Sequence, residues 1–245
     1  MSSAAALDVL WDSPHETRIT RSVPLIPPAA RRYLDHAISP DVPLAGAVRL
    51  TMHGEIKLKG WYPFSAEQVI HWDRGMIWQA TIRVHGIPIC GSDSLINSQG
   101  ASRWNVFGLI PIASASGPDV TRSVAGRVNI ESLWLPSVLC GNDVYWTSSN
   151  PTHAHAHFTA HRETADIDYS IDESGVLTSV NMPRWGNPNS PEFRYVVCGC
   201  FIDEERTFQG YTVPSRVRVG WHFGSPRFQQ DGEFFRVTVD SAVYR

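Results

Sequence analysis

Along much of the chain, apolar and polar side chains alternate with a period of two. The alternation is strict in Val48-Arg49-Leu50-Thr51-Met52-His53 and returns over Met76 to His85, provided Ile77 is allowed on the wet face. It recurs at Ala165 to Ile171, Arg216 to Phe223 and Phe235 to Val243. Successive side chains of a strand point to opposite faces, so this rhythm predicts antiparallel strands facing an apolar interior on one side and water on the other. His53-Gly54, Asp172 to Gly175, Gln209-Gly210 and Asp231-Gly232 read as turns between such strands.

Two segments keep a helical period instead. After Pro27-Pro28, the residues Ala30, Tyr33, Leu34 and Ala37 fall on one stripe, which predicts a short helix over Ala29 to Ile38. Mid-chain, Val120, Val124, Arg127, Glu131 and Trp134 step at helical intervals. This predicts a helix over Val120 to Val138 with Asp119 as its N-cap and Pro136 near its end. Lying between two groups of strands, it belongs across the open side of a curled sheet. The expected fold is mainly β: a single strongly curved antiparallel sheet of about ten strands, a half-barrel or open barrel, with a short N-terminal helix and a mid-chain lid helix. Residues 1–24 read as a flexible polar leader and 25–245 as one domain.

Composition narrows the function classes. Of 245 residues, 42% are hydrophobic and 18% charged, which excludes a disordered chain. A net charge of -3 gives no electrostatic footprint for nucleic acid or an anionic membrane. Met1 to Asp12 has neither the basic nor the apolar region of an export signal, and no apolar run is long enough to span a bilayer. Cys90, Cys140, Cys198 and Cys200 match no disulfide or C-x-x-C pattern, so reduced thiols and a cytoplasmic protein are expected.

From Trp61-Tyr62-Pro63-Phe64-Ser65-Ala66-Glu67-Gln68 onward the chain resembles an uncharacterised bacterial family of unknown function, common in actinobacteria. The resemblance runs through Gly108 to Pro111, Ser116 to Ser123, Glu131 to Ser137, Pro183 to Pro188, Glu204 to Phe208 and Gly210 to Arg218. It brings no catalytic residue with it. The architecture, with its late Gly-Tyr-x-x-Pro-x-Arg strand at Gly210 to Arg216, also resembles the half-barrels of periplasmic lipoprotein carriers, which hold acyl chains on an apolar concave face. That likeness implies a lipophilic guest.

Candidate chemistry is sparse. Dinucleotide, P-loop, α/β-hydrolase and zincin motifs are missing from the sequence. His153, His155, His157 and His161 share one strand parity, opposite Ala154, Ala156, Phe158 and Ala160. Two imidazoles at i and i+2 can share a zinc ion, but His153 and His157 would stand about 13 Å apart on a strand. The face reads as wet, the alanines as room for a guest, and no metal is assigned. Glu131, one turn from Arg127 and near Trp134, is the candidate general acid or base if it faces inward, the alternative being a surface pair with Arg127. Arg83, Arg216, Arg218, Arg236, His53, His85 and His222 either converge on an anion or form a solvated outer face, the parity favouring the latter. The loop from Arg184 to Pro188 suits a ligand gate or simple packing.

The expected function is binding of a lipid-like or polyketide-like small molecule against Trp61, Tyr62, Trp78, Trp134, Trp185 and Tyr211. The alternative is a cofactor-independent cyclase, isomerase or lyase of small-molecule biosynthesis using Glu131. A zinc site at His153, His155 and His157 comes third. No cofactor, nucleic acid or integral membrane association is expected.

Overall fold

The alternating segments build two meanders in a computed structural model that describes residues 3–16, 19–20 and 26–245. The first comprises β1 (Ala47–Lys57), β2 (Trp61–His71), β3 (Gly75–Val84), β4 (Ile87–Ile96), β5 (Gln99–Val106) and β6 (Ile110–Ser116). The second comprises β7 (Tyr145–Asn150), β8 (His153–Ala160), β9 (Glu163–Ile171), β10 (Leu177–Gly186), β11 (Arg194–Phe208), β12 (Tyr211–Trp221) and β13 (Glu233–Tyr244). Within each, neighbours in sequence pair as antiparallel hairpins. The two join where β1 pairs with β13, Val48 facing Tyr244 and Leu50 facing Ala242. The result is one 13-stranded sheet, ordered β6 to β1 and then β13 to β7, that does not close into a barrel. Three more strands form than the alternation predicts. β4 is half-buried along most of its length and β6 is exposed throughout, so neither carries the rhythm of a strand with one dry face.

The sheet's curvature follows from its helix contacts. The mid-chain helix α3 (Pro118–Ile130; the N-terminal α1 and α2 are placed below) packs against β5 on one side and β9 and β10 on the other. In the strand order β5 and β9 stand nine spacings apart, which in a flat sheet would be about 43 Å. A 13-residue helix is only about 20 Å long. The sheet must therefore curl into a trough, and α3 crosses its open side. The helix ends earlier than its periodicity predicts, tightening into 3-10 turns at Glu131–Trp134 and Pro136–Cys140. Pro136 disfavours a helical Leu135, whose φ of -133° breaks the run. The N-cap is Gly117, not Asp119, which lies inside the first turn.

Two further helices dress the sheet. α2 (Pro28–Ala37) forms where its stripe predicts, burying Ala29, Ala30, Tyr33, Leu34 and Ala37 over β7, β8 and β12. α1 (Ser3–Trp11) corrects the reading of the first residues as an unpatterned leader. Its Leu7 and Leu10 pack on Val69 and Ile77, on the sheet's outer face. That contact explains why Ile77 departs from the alternation: its outward position is dry. Residues 1–2, 17–18 and 21–24 of the expected leader, and the residue that follows it, lie outside the described residues.

His53-Gly54 is not a turn but the middle of β1, where the chain passes very close to β13. A Cβ on Gly54 would fall 1.9 Å from the Arg236 carbonyl oxygen. Gly54→Ala is therefore expected to destabilise the fold by about 1–3 kcal/mol, the usual cost of overpacking, seen as a lower urea midpoint with an unchanged m-value.

Candidate functional site

The concave face is divided. Toward β7, β8 and β9 it is largely filled by side chains, apart from a hollow at the Phe158 to Arg162 end of β8. Tyr33 of α2 stacks on Tyr169 at 5.4 Å, Trp146 lies 5.3 Å from Tyr169, and Leu135, Val138 and Leu139 are buried in the same core. The alanines of β8, read as room for a guest, instead admit these protein groups: Ala156 pairs with Trp146 and Ile167, Ala154 with Tyr169. Beneath α3 the trough stays open as a cavity of about 340 Å³. Val120, Val124 and Ile130 form its roof, continued by Leu133 and Trp134. Trp78, Trp104, Val217, Val219, Trp221 and Phe235 form much of its floor and walls. Ligand pockets usually fall between about 300 and 1,000 Å³.

One wall of this apolar space is ionic. Arg127 donates from Nε to Glu131 at 2.7 Å and from a terminal nitrogen to Asp93 at 3.0 Å, with its guanidinium 4.9 Å from the centre of the Trp78 ring. Burial alone would lower the Arg127 pKa, but Glu131 and Asp93 together outweigh it and hold the guanidinium above its ordinary value. Gln68 donates to the second Glu131 oxygen at 2.5 Å, and Ser102 to the second Asp93 oxygen at 2.6 Å. The Glu131 side chain does face inward, yet both its oxygens are engaged.

Of the six aromatics expected at the site, Trp78 and Trp134 line the cavity. Tyr211 lies in the filled part, its hydroxyl accepting from the Ala45 amide and donating to the Pro43 carbonyl at 2.7 Å each. Tyr62 sits at the sheet's end, edge-on to His85. Trp61 takes the opposite, outward parity, with the Arg236 guanidinium 4.2 Å from its ring centre. Trp185 is a latch for the lid: its Nε1 donates to Asp119 at 2.9 Å and Arg122 lies 4.0 Å from its ring. Trp221, Cys198 and Cys200 line the cavity without having been singled out as ligand contacts. Continuing the parity of Val217 and Val219 would have found Trp221. Burial raises the pKa of both thiols, that of Cys200 to about 12, so neither is a ready nucleophile.

The sequence matches the model of a family of unknown function, DUF6920, over residues 25–244. The chain belongs to that family. The match says nothing of an actinobacterial source. No curated protein matches it. Among solved structures it is similar to a putative outer membrane lipoprotein-sorting protein domain from Vibrio parahaemolyticus, with TM-score 0.42, 8% identity and coverage of 82% of this chain and 86% of that one. It is also similar to a LolA superfamily protein from Nitrosomonas europaea, with TM-score 0.44, 8% identity and coverage of 89% and 92%. A DUF1329 family protein from Desulfovibrio piger gives 0.43, 8%, 89% and 90%. Likenesses this distant carry no argument about the site. In this DUF6920 chain, the strings that carried the resemblance include the lid's latch and its last turns, Pro183 to Pro188 and Glu131 to Ser137.

The polar strand faces point outward, and four of their groups meet carboxylates there. Arg216 meets Glu204, Arg218 meets Asp203, Arg236 meets Glu233 and Glu55, and His53 meets Asp240. On β8, His155 and His157 bond Asp168 and Asp166 across the ladder at 2.9 and 2.6 Å, and His153 bonds Asn150 at 2.9 Å. Among the described residues, the group whose donors converge enough for a metal is elsewhere: His15, His71 and Asp73, with ligand atoms within 4.8 Å of one another. No helix among the described residues is long and apolar enough to cross a membrane.

His161 leaves the β8 face altogether, sitting in the β8–β9 turn with its ring edge-on to Trp72 at 5.8 Å. Its Nε2 is buried without a partner, and burial lowers its pKa from 6.5 to about 4. The unfolded chain takes up a proton below pH 6.5 that the folded one refuses until about pH 4, so stability falls as pH drops through that window. Between the two limits the wild type should lose about 2–3 kcal/mol that His161→Gln does not lose, measured by urea denaturation at each pH.

Proposed function

We propose that the protein binds a hydrophobic small molecule, lipid-like or polyketide-like, in the cavity beneath α3. The observation that carries this reading is the open space itself. The curved sheet keeps about 340 Å³ free under α3, between a lid bonded on both sides and a floor of indoles and aliphatics. Apolar walls with a few fixed polar groups suit a guest that gains affinity from burial and orientation from hydrogen bonds. Cys90, Cys198 and Cys200 stand outside any disulfide, which supports a cytoplasmic setting as part of the same proposal.

The carrier reading stands ahead of the cyclase or isomerase reading for a chemical reason. The base that reading needs, Glu131, already has a structural role as part of the ionic wall, bonded by Arg127 on one oxygen and Gln68 on the other. A lipophile that co-purifies should be extracted chemically unchanged.

Filling the cavity tests the reading. The neutral dye N-phenyl-1-naphthylamine should bind the wild type with enhanced emission. Val124→Trp in the roof and Val219→Phe in the floor should each weaken it by at least about tenfold. Circular dichroism and thermal melting identify which variants remain folded. Undiminished dye binding in a folded cavity-filling variant overturns the assignment.

A further inference from the structure

Four charged side chains line the cavity: Asp93, Arg127, Glu131 and Arg184. The first three satisfy one another, Arg127 standing between the two carboxylates. Arg184 is different. Its Nε donates to the Ser123 carbonyl at 3.1 Å, and a terminal nitrogen lies 3.9 Å from the Cys198 sulfur. Among the described residues no carboxylate lies within ion-pair distance of it. Cys198 does not supply the missing charge, because burial keeps its thiol protonated. The guanidinium is also held in place, 5.1 Å from the ring centre of Trp221, another wall residue.

We infer that the guest is an amphipathic acid whose carboxylate sits on Arg184 while its apolar tail fills the cavity beneath α3. This rests on the hydrophobic-ligand reading above and names the polar end of that ligand. A guanidinium fixed beside low-dielectric walls gains most from a planar anion that takes two of its N–H groups at once. Arg184 is half-buried and its cavity neighbour Asn187 is exposed, so the head lies toward solvent and the tail toward the interior. Trp78 adds a second donor. It lines the same cavity, and its indole N–H is buried without an acceptor, which suits an oxygen placed along the tail.

The test uses the full chain and three probes of equal length: decanoate, decan-1-ol and decylamine, each below its micelle concentration, with affinity read by displacement of the neutral dye. Decanoate should bind the wild type at least about tenfold more tightly than decanol. In Arg184→Gln and Arg184→Met the ratio of decanoate to decanol affinity should fall to about one, with the remaining decanol binding reporting that the cavity persists. Equal affinity for acid and alcohol, tighter binding of the amine, or an acid preference that survives both substitutions overturns the head-group assignment and leaves the cavity reading standing. Failure of all three probes to bind overturns the cavity reading itself.

Discussion

The pairing of β1 with β13 governs the rest of the molecule. Joining the two meanders through their outermost strands in sequence puts both of those strands mid-sheet and sends β6 and β7 to opposite edges. The segment between β6 and β7 must then travel from one edge to the other. A trough allows that path to be short and buries apolar surface along it, so curvature, lid and interior arise from a single topological choice. The close passage at Gly54 belongs to this seam.

Packing then decides which part of the trough stays empty. Small residues on β8 let Tyr169, Trp146 and the buried side of α2 meet, which fills the trough there. Under α3 the facing groups are bulky and held by ring contacts with one another, Trp78 with Trp104, Phe64 and Phe235. Planar groups braced in this way do not collapse into the gap above them. The ionic wall adds rigidity of another kind. Arg127 is caught between carboxylates on β4 and on the turn after α3, so removing either leaves a buried charge poorly compensated.

Much of this was legible in the chain. Alternation found the strands with one wet and one dry face, and the stripe in α2 and the crossing helix stood out by period. What escaped has physical causes. Ile77 breaks the rhythm because α1 dries its outward face, a contact made across sixty-seven positions from Leu10. β4 and β6 lack a rhythm because neither has a fully dry side. Aromatic identity proved a poor guide to the cavity: Trp61 and Tyr211 are as greasy as Trp78, and only parity and position in the trough separate them. Glu131 was left between an inward site and a surface pair with Arg127, because its second partner, Gln68, comes from β2 and no local pattern reports a long-range amide.

The lid is fastened on both sides. Thr121 accepts from the Gly100 amide of β5 and Arg127 holds Asp93 of β4, while Arg122 bonds Glu163 of β9 and Arg184 of β10 bonds the backbone of Ser123. Covalently continuous with the two edge strands as well, α3 acts as the string of a bow whose limbs are the two meanders. A string cannot swing like a door. Any widening of the space beneath it must flex the limbs and tighten the string together.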